Sequence, residues 1–329
     1  MQGKIALEEH FAVDAPDRDT ASRLAGNATW AETARRLVDF HDLRLKDMDA
    51  CGIECAMLSL NAPAVQMILD PKAAIATARR SNDVLAEQIA RRPDRFGGLA
   101  ALPMQDPDAA AQEFTRCVKE LGFHGALVNG FTQRHVSDSV VFYDIAEYRP
   151  FWRQVEALGL PFYLHPRTSV YERAHHYAGH PWLFSSAWGF AAETAIHLLR
   201  LIGSALFDEC PSLQIVVGHL GERIPFDMWR IDHRIATIPA GYPAKKPVSA
   251  YMRSNVHITT SGNFSDNALR CALAELGVER TLFAVDYPME VMADGASWFD
   301  RTPVLSEAER IRVGRTNAIR LFKLPLGEQ

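Results

Sequence analysis

Cysteine is scarce and scattered in this 329-residue chain, at Cys51, Cys55, Cys117, Cys210 and Cys271. An odd, dispersed set does not make a disulfide framework and fits free thiols in a reducing compartment. Cys51 and Cys55 have the spacing of a metal pair. However, the first ends a helical pattern and the second begins a strand, so both are read as small buried thiols. A long unbroken apolar run is also missing. The most apolar stretch, 187–207, is interrupted by Glu193, His197 and Arg200, which makes it an amphipathic, core-facing helix rather than a membrane span. The N-terminal MQGKIALEEHF enters a strand directly and has no apolar leader region. A soluble cytoplasmic protein is expected. There is no basic run, zinc-finger spacing or nucleic-acid motif. With 35 Lys and Arg against 40 Asp and Glu, the net charge of −5 disfavours a general polyanion-binding surface.

What is present is the composition of a globular protein with a large core: 48% hydrophobic and 23% charged residues. Short apolar runs alternate with helical patterns. The runs are 5–7, 56–60, 96–102, 125–129, 161–165, 213–219, 255–260 and 281–286. Helices are expected between them at about 30–50, 71–91, 106–122, 150–158, 187–207, 222–237 and 265–276, with a last one at 306–322. Pro71 suits a first helical turn. A long loop, 166–186, carries Pro, His, Tyr and Trp and is no linker. Eight strands alternating with helices imply a parallel sheet with right-handed crossovers. Over this length they imply an α/β fold, the (β/α)8 barrel, as a single domain spanning 1–329 with loop insertions. A doubly wound open sheet is the alternative, but no Gly-rich fingerprint follows the first strand.

The polar residues at the strand ends carry the chemistry. In a barrel these ends form one rim, where active sites sit. Glu8 and His10, two apart on strand one, face the same way. Adding His165 from strand five and Asp286 from strand eight gives two imidazoles and two carboxylates. That donor set suits one divalent ion, Zn²⁺ or Mn²⁺, with Mg²⁺ also possible. Glu9 faces the opposite way and is read as an outer-face residue available for a salt bridge to a neighbouring helix. His219 ends strand six between glycines that permit close approach. Glu222 stands at the start of the next helix, placed either to favour the charged form or fix the tautomer of His219, or to complement the helix terminus. Arg230, two turns on, is either a helix-surface ion-pair partner or a site residue. Asn129, at the fourth strand end, is suited to a hydrogen bond with a substrate oxygen or to starting the loop at Gly130.

These residues lie in segments that resemble the amidohydrolase superfamily, and more closely its aromatic-acid decarboxylase branch of γ-resorcylate and 2,3-dihydroxybenzoate decarboxylases. The segments are KIALEEHFA (4–12), LSLNAPAVQ (58–66), NDVLAEQIARRPDRFGGLAALPMQDP (82–107), GALVNGF (125–131), PFYLHPR (161–167), VVGHLGERIPFDMWRIDHR (216–234), ITTSGNF (258–264) and DYPME (286–290), and they span nearly the whole chain. The resemblance implies one metal held by Glu8, His10, His165 and Asp286. It places His219 and Glu222 beside the metal, with Arg230 supporting Glu222 and with Asn129 and Phe190 lining the substrate pocket. It also implies a phenolic carboxylate substrate, no organic cofactor and a homotetramer. His10 tilts the subtype toward γ-resorcylate decarboxylases. Met289 departs from the usual aromatic of that motif. The stretch 13–29 also diverges, with Arg18, Arg23 and Leu24 expected near the ring.

The expected reaction is non-oxidative, reversible decarboxylation of an ortho-hydroxybenzoate such as 2,6-dihydroxybenzoate, releasing CO₂ and a phenol. Asp286 is the first choice to carry the proton, with His219, held by Glu222, assisting. The same donors would serve a metal-dependent hydrolase of an ester, lactone or amide. A non-catalytic metal-binding barrel is the third reading. The exposed rim argues against that last one, because structural metal sites are usually closed by protein ligands.

Overall fold

The computed structural model describes residues 1–14 and 28–328. Arg18, Arg23 and Leu24 lie outside the described residues. Ten strands are present among the described residues: β1 (Lys4–Phe11), β2 (Ile53–Leu60), β3 (Phe96–Ala100), β4 (Gly125–Asn129), β5 (Thr132–Arg134), β6 (Val136–Val141), β7 (Phe162–His165), β8 (Ile215–Val217), β9 (Val256–Thr259) and β10 (Thr281–Leu282). Eight of them form one parallel sheet in the order β1-β2-β3-β4-β7-β8-β9-β10. The sheet closes on itself beyond β10. Asp286 N–H donates to Glu8 O at 3.1 Å, and His10 N–H donates to Tyr287 O at 2.6 Å. This is the (β/α)8 barrel. Every strand of the barrel is buried almost throughout, as a parallel sheet covered by helices requires.

Two apolar layers follow from strand alternation. Ile5, Leu7, Met57, Leu99, Leu127, Tyr163, Val216, Leu282 and Ala284 fill the barrel, closed at one end by Phe322 and Leu324. Alternate residues, such as Ala6, Val128, Leu164, Val217, Phe283 and Val285, pack outward against the helices. Helix starts follow local chemistry. Asp70 and Asp106 accept hydrogen bonds from backbone N–H groups in the first turn, with Pro71 and Pro107 just inside. Ser306 and Glu309 form a capping box.

Several expectations need correction. The helix expected at 30–50 is two, Ala28–Leu37 and Leu43–Cys51. Asp39 in the gap accepts the Arg44 N–H through its side chain, competing with helix continuation. The last helix is broken by a π-helical stretch, Arg312–Thr316. The β5–β6 hairpin and the helices Val248–Asn255 and Met292–Arg301 were not foreseen. Phe151, Trp152 and Phe299 are buried within the chain, and half-buried Trp298 donates to Asp266 at 3.0 Å. All five cysteines are free. Among the described residues no helix is long and apolar enough to cross a membrane.

Candidate metal centre and active site

Asn129, His165 and Asp286 continue the inward register set by Leu127, Tyr163 and Ala284, so each projects into the top of the barrel. Glu8 and His10 do not reach it by simple alternation. Ile5 and Leu7 face the interior, which by parity would turn Glu8 outward. The pairing of β1 with β2 slips between Ala6 and Glu9, with Ala6 opposite Ala56 but Glu9 opposite Leu58. This extra residue is a β-bulge, and it re-aims Glu8 and His10 toward the axis.

One donor atom from each of Glu8, His10, His165 and Asp286 lies within 4.8 Å of the others. His165 Nε2 is 3.2 Å from Glu8 Oε1, and His10 Nε2 is 3.2 Å from Asp286 Oδ1. Yet Glu8 Oε1 and His10 Nε2 are buried without a hydrogen bond. Close approach without hydrogen-bond geometry is what atoms aimed at a common centre display. Leaving buried polar atoms unpaired is costly otherwise. Two imidazoles and two carboxylates therefore fit a divalent ion.

The surroundings tune these donors. His10 Nδ1 is 3.1 Å from Ser59 Oγ, which leaves Nε2 free to face the other donors. Burial and the neighbouring His165 lower the basicity of His10. The Tyr163 hydroxyl donates to Glu8 Oε2 and lies 2.8 Å from Thr259 Oγ1. Burial and the Glu8 charge push that phenol well above its ordinary value, so it stays a donor. Burial opposes the charge on Glu8 and on Asp286. For Glu8, His219 and His165 outweigh it, and for Asp286, His10 and His219 do, so both carboxyls lie below their usual range.

His219 stands at the mouth, 23% exposed against 0% for Glu8 and 1% for His10. Its Nε2 lies 3.7 Å from Glu8 Oε1 and 3.8 Å from Asp286 Oδ2. Its Nδ1 lies 2.8 Å from Glu222 Oε1. Burial disfavours an imidazolium here, but Glu222, Glu8 and Asp286 outweigh it and hold His219 well above its ordinary value. The backbone is bent to make this contact: His219, Leu220, Glu222 and Arg223 all have positive φ. Glu222 is therefore not in the helix proper, which runs from Ile224 to Thr237.

Asn129 is buried, its Nδ2 donating to Leu60 O at 3.2 Å while its Oδ1 has no partner. Phe190 is half-buried in the first turn of the helix Gly189–Gly203, after the rim loop that follows β7. Met289 is 40% exposed just past Asp286.

Two residues stand differently from what was expected. Arg230 is exposed and makes no hydrogen bond or ion pair to Glu222 among the described residues, six residues or roughly 9 Å along the helix from Ile224. Glu9, on the face opposite Glu8 and His10, does not pair with a helix side chain: it is fully buried, and its carboxylate accepts Val285 N–H at 3.0 Å and Tyr287 N–H at 3.2 Å. Its partners are backbone groups of the segment that closes the barrel. Burial pushes Glu9 up to about 8, against those two donors and the charge of Arg44. Ser59, Tyr163 and Thr259 touch His10 or Glu8, and the sequence reading missed them.

A family model described as Amidohydrolase matches residues 10–324. The γ-resorcylate decarboxylase of Rhizobium radiobacter is 55% identical over 326 residues, covering 98% of this chain and 99% of that protein. A crystal structure of 2,6-dihydroxybenzoate decarboxylase complexed with 2,6-dihydroxybenzoate matches with TM-score 0.94 and 54% identity, covering 98% of this chain and 99% of that one. The dihydroxybenzoic acid decarboxylase of Polaromonas sp. JS666, with bound manganese and the inhibitor 2-nitroresorcinol, matches with TM-score 0.95 and 52% identity, covering 100% of this chain and 99% of that one. The chain belongs to the amidohydrolase family and, within it, to the branch of aromatic-acid decarboxylases.

Proposed function

We propose that the protein is a metal-dependent, non-oxidative decarboxylase of 2,6-dihydroxybenzoate or a close ortho-hydroxybenzoate, releasing CO₂ and a phenol. The observation that carries this is the four-donor cluster with Glu8 Oε1 and His10 Nε2 buried and unpaired, beside the His219 imidazole that meets Glu222 at 2.8 Å. The resemblance to 2,6-dihydroxybenzoate decarboxylases supports the substrate class, and the manganese-bound relative supports Mn²⁺ as the ion.

Glu8, His10, His165 and Asp286 would hold the ion, which when bound orients the aromatic acid and draws electron density from it. The chain's own residues manage the proton. Decarboxylation adds one proton to the ring carbon bearing the carboxylate. The C–C bond then breaks, its electron pair restores the aromatic ring, and CO₂ departs. His219 holds the proton at Nε2, 3.8 Å from Asp286 Oδ2. Asp286, kept anionic at rest by His10 and His219, accepts that proton and passes it to the ring carbon. His219 faces solvent enough to be reprotonated. The unpaired Oδ1 of Asn129 accepts a substrate hydroxyl, and Phe190 borders the ring.

We read residues 1–329 as one barrel domain of a cytoplasmic homo-oligomer, a tetramer by the family likeness. Phe226 and Trp229, 82% and 73% exposed on the helix that carries Arg230, support subunit contact there. The deciding experiment screens hydroxylated benzoates for CO₂ release, with metal analysis on the same batch. Turnover of 2,6-dihydroxybenzoate that disappears on chelation and returns with Mn²⁺ is expected. A metal-loaded protein that turns over no phenolic acid defeats the proposal. So does a His165→Ala variant that loses metal but keeps activity.

A further inference from the structure

We infer that Glu9 is a positioning residue whose carboxylate clamps the two peptide N–H groups flanking Asp286 and so holds the Asp286 side chain toward the metal centre. The inference rests on the reading of Asp286 as ligand and proton carrier. Asp286 has φ +82°, a conformation that residues with a Cβ rarely adopt and that persists only where surroundings impose it. Three acceptors impose it here. Glu9 Oε1 takes Val285 N–H at 3.0 Å, Glu9 Oε2 takes Tyr287 N–H at 3.2 Å, and Glu8 O takes the N–H of Asp286 itself at 3.1 Å. β10 ends at Leu282, and beyond it a single bridge joins Glu9 and Tyr287; the carbonyls of Val285 and Asp286 accept from Gly262, Met289 and Glu290, while the N–H groups of 285–287 go to Glu8 and Glu9.

The clamp is itself braced. Arg44, fully buried, donates from Nη2 to His10 O at 2.5 Å and stacks over the Tyr287 ring with its guanidinium carbon 4.7 Å from the centroid. The β1 bulge is what permits the arrangement. One shift in register sends Glu8 and His10 to the metal centre and the residue between them to the backbone that presents the fourth donor. Three consecutive residues of β1 thus organise the site, two directly and one through Asp286.

The test compares wild type with Glu9→Gln and Glu9→Asp. Gln keeps the reach but replaces one acceptor with an N–H₂ facing an N–H. Asp keeps the carboxyl group but loses the reach. Both are expected to retain the thermal midpoint of wild-type apoprotein within a few degrees. They should bind Mn²⁺ about 10–100-fold more weakly by titration calorimetry, the range for lost support of a ligand. With saturating Mn²⁺, kcat should fall at least 10-fold with KM changed less than threefold. Amide hydrogen exchange at Val285 and Tyr287 should accelerate while β9 amides stay protected. Wild-type Mn²⁺ affinity with unchanged exchange in a folded variant overturns the inference. Loss of folding in both variants also overturns it, since Glu9 would then be closing the barrel rather than setting Asp286. Metal titration and exchange need no substrate, so they decide the role of Glu9 even if the decarboxylation screen is negative.

Discussion

His219 and Glu222 meet at 2.8 Å across a turn in which both residues have φ +52°. Left-handed conformations at such residues cost about 1–3 kcal/mol each and survive only where neighbouring structure holds them. Here the turn buries a carboxylate at 1% exposure directly behind a half-open imidazole. A buried anion in that place raises the proton affinity of the imidazole, which is the property a proton-holding group at the mouth of the site needs.

Replacing Glu222 with Gln keeps the size and removes the charge. His219 in the folded protein is held above its ordinary value, so it keeps its proton at neutral pH and loses it as pH rises through the raised value. Without the anion that loss moves to lower pH. The alkaline limb of the kcat profile should shift down, and kcat at neutral pH should fall by about 10²–10⁴, the usual worth of general acid–base assistance. A kcat–pH profile with an unmoved alkaline limb would exclude His219 as the proton holder.

Ser59 supports His10 from the neighbouring strand, Oγ to Nδ1 at 3.1 Å. In Ser59→Ala the imidazole loses the partner that fixes its tautomer and ring angle. Metal affinity should drop about 10–100-fold with activity recoverable at high Mn²⁺. Calorimetric Mn²⁺ titration checks this, and equal dissociation constants for variant and wild type would remove Ser59 from the site.

Gly218 offers a clean steric probe of the same cluster. Its φ of −77° and ψ of −171° are open to any residue, so alanine meets no backbone strain. An added Cβ would lie 2.8 Å from Glu8 Oε2 and 3.3 Å from Oε1, and the carboxylate must move. Gly218→Ala should fold with a loss of about 1–3 kcal/mol, the range for inserting a methyl into a packed site. Its metal content after dialysis should be well below wild type. Full metal occupancy with normal kcat would show that Glu8 tolerates displacement and is not a ligand.

The barrel was legible because β/α alternation and buried parallel strands leave a strong sequence pattern, and the rim residues Asn129, His165 and Asp286 fall on the inward parity of their strands. Glu8 and His10 were chosen for facing the same way, which is correct for two residues two apart. What alternation could not reveal is which way, because a bulge between Ala6 and Glu9 has no composition of its own. The role of Glu9 was hidden because its partners are backbone N–H groups 276 and 278 positions away in sequence. The placement of Arg230 was hard to read for a different reason: sequence spacing gives distance along a helix, but not the kink at residues 219–223 that separates Glu222 from the helix carrying Arg230. The breaks at Asp39 and at Arg312–Thr316 were invisible to periodicity, which continues across both.

Stability in acid should depend on a histidine away from the site. His197 is fully buried, its Nε2 accepting Tyr143 N–H at 3.1 Å, with Tyr143 and Phe142 packed against the ring. Burial first, and Arg200 second, push its pKa down to about 3, from an ordinary 6.5. Below pH 6.5 the unfolded chain takes up a proton that folded His197 refuses, so the unfolded state binds more protons and stability falls as pH drops through that window. At pH 4 the loss from this one group is about 3 kcal/mol, at 1.36 kcal/mol per pH unit. His197→Gln can still accept from Tyr143 through its amide oxygen but cannot titrate. Urea midpoints at fixed protein concentration, taken between pH 4 and pH 7, should therefore fall less steeply in the variant. His257, pushed to about 3 by burial and then by Arg280, contributes the same trend in both proteins and cancels in the comparison. Parallel curves for wild type and variant would mean that His197 takes its proton without unfolding the chain, and that its burial does not set the acid limit.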